Sequence, residues 1–172
     1  MRFLLDGATF SNLASVLPMV LLTAFVPSLL AWAWSIWVSR RDGQQLPWRR
    51  ALGAFVTAFA VCFATLSWTP GGYDYVPAQV IVSGLAMVIV TVLFVYKARP
   101  KVVASVLVLW GLVLGYSLAW AFIVGWSDIT GLWGVGLIML YSGLLVGLVL
   151  VIAVVQIVSG FREAKRLQQE LK

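Results

Sequence analysis

The sequence predicts an all-α, polytopic integral membrane protein of five transmembrane helices, with the N-terminus outside and the C-terminus cytoplasmic. Three observations carry that prediction. Of 172 residues, 62% are hydrophobic and only 10% are charged, whereas soluble domains carry roughly 25% charged residues. The chain holds five apolar runs long enough to cross a bilayer, whose hydrocarbon core of about 30 Å takes about 20 helical residues. All but one of its twelve Lys and Arg residues fall in alternate connections, the pattern that insertion imposes by retaining basic residues on the cytoplasmic side. Mean hydropathy is +1.01, and with no long polar stretch the whole of 1–172 reads as one transmembrane domain.

The first span is expected at Ala14–Val38, with Pro18 and Pro27 inside it and Trp32, Trp34 and Trp37 as interfacial anchors. Ala31-Trp32-Ala33 has the small-x-small form of a signal cleavage site. Arg40 and Arg41 follow too closely for that end of the segment to lie outside, so the segment reads as a retained span. Ahead of it, Phe3, Leu4, Phe10 and Leu13 suit either a short amphipathic helix on the outer leaflet or a frayed terminus. The second span is expected at Ala51–Thr69, after Pro47 and before Pro70-Gly71-Gly72. Pro77 opens the third, Ala78–Tyr96, and Pro100 separates it from the fourth, Val102–Trp126. Proline punctuates here because it lacks an N–H and fixes φ, which a helix start tolerates and a helix interior does not. The fifth span is expected at Leu132–Val158, and the basic cytoplasmic tail over 159–172, rich in strong helix formers, is expected to extend it as helix, with Gly160 loosening the join. Short connections make neighbouring helices antiparallel.

Orientation follows from the cations. Arg40, Arg41, Arg49 and Arg50 join spans one and two; Lys97, Arg99 and Lys101 join spans three and four; Arg162, Lys165, Arg166 and Lys172 lie in the tail. The opposite face keeps Arg2 with Asp6, Asp74 and Asp128. A four-span or six-span scheme would move a basic cluster outside. The net charge of +6 therefore reads as an insertion signal and as affinity for anionic lipid, worth about 1 kcal/mol per basic residue near the surface, and no nucleic-acid partner is expected. The basic residues expected to contact lipid are Arg40, Arg41, Arg49, Arg50, Lys97, Arg99, Lys101, Arg162, Lys165 and Arg166. Charge asymmetry and compact loops fit a bacterial cytoplasmic membrane.

The residue inventory closes off much chemistry. No Asp, Glu, Lys or Arg lies inside a predicted span, so proton coupling through a buried carboxylate and voltage sensing through arginine lack their parts. The chain has no His, which removes bis-His haem ligation, most zinc sites and most general-base triads. Its single cysteine, Cys62 in span two, has no partner for an intrachain disulfide. Two facing intramembrane aspartates would make a protease, but Asp74 and Asp128 both fall in outer connections. No cofactor, metal or catalytic residue is expected.

Two groups of residues remain as candidates. Trp68, Tyr73, Asp74 and Tyr75 share the outer face with Trp126, Asp128 and Trp133; aromatic rings beside carboxylates suit a cation, a sugar ring or a lipid headgroup, and they equally suit an interfacial aromatic belt. Small residues recur within the spans: Ala54 with Ala58, Gly111 with Gly115, and Gly143 with Gly147, with Gly136 one heptad before Gly143. In lipid, close backbone approach over small residues replaces the hydrophobic effect as the source of packing. These positions are expected to join spans two, four and five, or to form a seam with another chain. Ser83, Thr91, Tyr116, Ser117 and Tyr141 supply hydroxyls at depth, suited to bonds between helices. Reactive groups are missing while packing faces and a basic tail are present. The expected function is thus a non-catalytic membrane subunit or assembly factor, with a membrane-protein partner or a second copy. The alternative is a small oligomeric channel or transporter for a neutral or amphipathic solute.

Overall fold

The computed structural model describes residues 18, 26–41, 48–67, 77–96, 101–125 and 133–170, and these are helical except for the bend at Ser67. The helices are α1 (Val26–Arg41), α2 (Trp48–Leu66), α3 (Pro77–Tyr96), α4 (Lys101–Gly125) and α5 (Trp133–Glu170). By length and composition, α2, α3, α4 and α5 can each cross a bilayer. The described part of α1 has 16 residues, about 24 Å of helix, and most of the remaining predicted first span lies outside the described residues.

The boundaries of one helix depart from expectation by a turn. Helix α2 starts at Trp48 and ends at Leu66, three residues earlier at each end than the apolar run implies. Arg49 and Arg50 are thus part of its first turn, where proline in the preceding position leaves the helix free to begin. Helix α5 continues into the tail, as its helix formers predict, and runs for 38 residues without a break at Gly160. One glycine costs a helix only about 1 kcal/mol, and Arg162, Lys165, Gln168 and Gln169 carry the helix on.

The bundle is built around α4, which touches each of the other four helices, most extensively α2. About two-thirds of its apolar window is buried, against 6% for α5. Helix direction follows from the contacts. Gln79, early in α3, meets Thr65, late in α2, while Gly53 faces Phe94, so α2 and α3 are antiparallel. Gln156 with Ser105 and Gly136 with Trp120 make α4 and α5 antiparallel. Gly111 beside Ala51 and Gly115 beside Phe55 make α2 and α4 parallel. The charged positions of α2, α4 and α5 consequently gather at one end of the bundle, at the C-terminus of α5 and the N-termini of α2 and α4, and those of α1 lie at its C-terminus.

Polarity is distributed as a bilayer requires. The most apolar helix, α5, with mean hydropathy 2.8, is the least buried of the four candidate spans, the reverse of a water-soluble bundle. Met139 is 72% exposed, Leu93 68% and Leu30 67%, whereas Ser35, Ser83, Thr91 and Ser117 are almost wholly buried. Helix α1 shows the inversion most plainly. Its buried residues are Ser28, Ser35 and Ser39, while Trp32, Trp34 and Trp37 face outward. Where the solvent is hydrocarbon, apolar surface is at ease outside and hydroxyls need partners inside.

Candidate functional site

Among the described helices, α2 and α4 share the most extensive contact, a seam of small residues. Helix α2 buries Ala54, Ala58, Cys62 and Leu66, one residue per turn on a single face. Opposite them, a Cβ added at Gly111 would lie 2.5 Å from the Ala51 carbonyl oxygen, and one at Gly115 would strike the Phe55 carbonyl oxygen. Both obstacles are backbone, so no side-chain rotation makes room. Gly136 lies over the Trp120 ring, where a Cβ would be 3.0 Å from Cη2, and this brings α5 onto α4. Gly143 and Gly147 have a different fate. Both are exposed, and no described residue lies within 4 Å of a Cβ at either, so the second glycine pair makes no close contact among the described residues.

Hydrogen bonds tie the same helices at depth. The Ser83 and Tyr116 hydroxyls are 2.6 Å apart across α3 and α4, and Tyr116 also hydrogen-bonds Cys62 of α2, so three helices meet on one phenol. Gln79 Nε2 donates to the Thr65 carbonyl at 3.3 Å, satisfying an acceptor in the last turn of α2 that has no partner within its own helix. Gln156 Nε2 donates to Ser105 Oγ at 2.7 Å, and at the basic end Arg162 donates to the Tyr96 hydroxyl at 3.1 Å. Thr91 donates to Met87 of its own helix, and Ser117 and Tyr141 find no partner among the described residues.

Tyr116→Phe is expected to cost about 0.6 kcal/mol, the average for interhelical hydrogen bonds in lipid, and at most about 1.7 kcal/mol. Ser83→Ala should cost less, because it leaves the Cys62 contact in place. The double variant should fall short of the sum in a double-mutant cycle read by thermal unfolding in detergent.

A lateral groove of about 410 Å³ opens between α1, α2 and α4. Its walls are Trp32 from α1, Trp48, Leu52 and Phe55 from α2, and Trp110 and Leu114 from α4, with Gly111 also at the lining. Trp48 carries the Arg49 guanidinium over its ring at 5.7 Å, and Arg41 stands 5.7 Å over Trp37. The glycine at 111 thus both admits α2 and borders the groove beside it.

The outer aromatic and acidic group lies almost entirely outside the described residues. This holds for Trp68, Tyr73, Asp74, Tyr75, Trp126 and Asp128, while Trp133 forms the first residue of α5. Lys97 and Arg99 also lie outside them. Arg40, Arg41, Arg49, Arg50, Lys101, Arg162, Lys165 and Arg166 all lie on helices at the basic end. Among the described residues, no group of three His, Cys, Asp or Glu side chains comes together to hold a metal ion. The groove was not legible in advance, because it depends on which face of α1 turns to α4, and α1 has no periodic apolar face to signal that.

Four long apolar helices around a small-residue seam define a helical, polytopic membrane protein. Comparison with known protein families, with curated proteins and with solved structures gives no match.

Proposed function

We propose that the chain is a non-catalytic integral membrane subunit or assembly factor of a bacterial cytoplasmic membrane, spanning it five times with the basic end in the cytoplasm. The observation that carries the reading is the contrast between the two glycine pairs. Gly111 and Gly115 are used inside the chain, whereas Gly143 and Gly147 sit exposed on the least buried helix, a face fitted to a helix of another membrane protein. The test is native mass spectrometry of C-terminally tagged protein, expressed in its own host and extracted in mild detergent. Stoichiometric co-purification of other membrane proteins is the expected result. A homo-oligomer without other proteins would favour the channel or transporter reading and would replace this one.

The orientation has its own check. A fluorescent reporter fused after Lys172 should be bright and an alkaline phosphatase fused there inactive, while phosphatase inserted at Gly72 should be active. The opposite pattern would invert the topology.

A further inference from the structure

The groove between α1, α2 and α4 combines two properties that belong together in one class of molecule. Its walls are apolar and aromatic, offering a guest almost no hydrogen-bonding partner, while a cation, Arg49, stands beside one of them, over Trp48. Arg49 is held over the groove-lining Trp48, Arg50 follows it on α2, and Arg40 and Arg41 end α1, with six residues between Arg41 and Trp48. The only acidic residue between Arg40 and Arg50 is Asp42, and the described residues of α1 and α2 hold none. An acyl chain needs no hydrogen bonds and gains contact from tryptophan and phenylalanine faces. A phosphodiester headgroup needs the planar donors that guanidinium supplies. A second polypeptide helix would fill the apolar wall and offer Arg49, at its edge, no phosphate.

We propose that this groove is a binding site for one anionic phospholipid of the cytoplasmic leaflet, its acyl chain lying among Trp32, Trp48, Leu52, Phe55, Trp110 and Leu114 and its phosphate on Arg49 and the neighbouring arginines. The leaflet assignment rests on the orientation proposed above; the site itself does not. Its glycine border ties occupancy to the α2–α4 seam, so a bound chain props α1 against the pair and seals the space beside Gly111.

The test is native mass spectrometry of the isolated chain after exchange into detergent with phosphatidylglycerol or phosphatidylcholine at equal concentration. The wild-type protein is expected to retain one phosphatidylglycerol at collision energies that strip phosphatidylcholine. Arg49→Gln with Arg50→Gln should weaken that retention about tenfold, and Leu52→Trp, which fills the groove from an exposed position, should abolish it. Arg49→Lys with Arg50→Lys should keep part of it. Equal retention of the two lipids by the wild-type protein would overturn the proposal without recourse to any variant. So would wild-type retention in Leu52→Trp, or a dimer that holds no phosphatidylglycerol. Because the assay uses the chain alone, a failure here is separate from a failure to find protein partners.

Discussion

Gly115→Leu is expected to prevent the bundle from forming. A side chain at this position meets the Phe55 backbone, so α2 and α4 must separate, and the stripe of Ala54, Ala58 and Cys62 that packs beneath them loses its contacts together. Overpacking a close seam typically costs 1–3 kcal/mol; with backbone as the obstacle and four helices organised around α4, the cost here is expected to reach about 3 kcal/mol or more. Size-exclusion chromatography of detergent extracts should show aggregate in place of the monodisperse peak. Gly115→Ala should already lower the thermal midpoint, and Gly53→Ala, whose neighbour is the movable Phe94 ring at 3.2 Å, should be milder. A wild-type elution profile for Gly115→Leu would contradict the helix pairing described above.

The second large effect is expected where the fold itself does not change. Gly143→Leu and Gly147→Leu place side chains in open space, so the isolated chain should keep its helicity and its stability within about 0.5 kcal/mol, as substitutions away from packed features do. Co-purification of partner proteins should nevertheless fall at least tenfold, because leucine holds the incoming backbone away. The same kind of substitution on two neighbouring helices thus separates folding from association. Retention of the partners by both variants would remove this face from the proposed interface.

What the sequence made legible follows from the physics of each feature. Helix existence was plain because apolar length alone signals a span, and Pro77 and Lys101 open α3 and α4 at or beside the expected points. The place of α4 at the centre was hidden. Mean hydropathy is 2.5 for α3, 2.2 for α4 and 2.8 for α5, and apolar residues ring each helix, so no polar face tells inside from outside. Residue size carried the signal that hydropathy lacked, at Ala54, Ala58, Gly111 and Gly115. Yet Gly143-x-x-x-Gly147 has the same form as Gly111-x-x-x-Gly115 and an opposite environment. Spacing alone reports that a helix can be approached closely; the approaching partner is set by the other helices. The early start of α2 was missed because Trp48, Arg49 and Arg50 interrupt the apolar run, while a helix needs only backbone hydrogen bonds to continue through them.

The unbroken course of α5 turns the chain's last segment into a stem. Its 38 residues measure about 57 Å along the axis, nearly twice the thickness of the hydrocarbon core. From Arg162, which is tied to Tyr96, eight further residues carry the helix about 12 Å onward, beyond the Debye length of about 8 Å at physiological ionic strength. Arg162 therefore feels the headgroup charge at nearly full strength, while the tip near Glu170 is largely screened from it. The basic end of the bundle thus projects as a stiff, charged post, continuous through one helix with the face that bears Gly143 and Gly147.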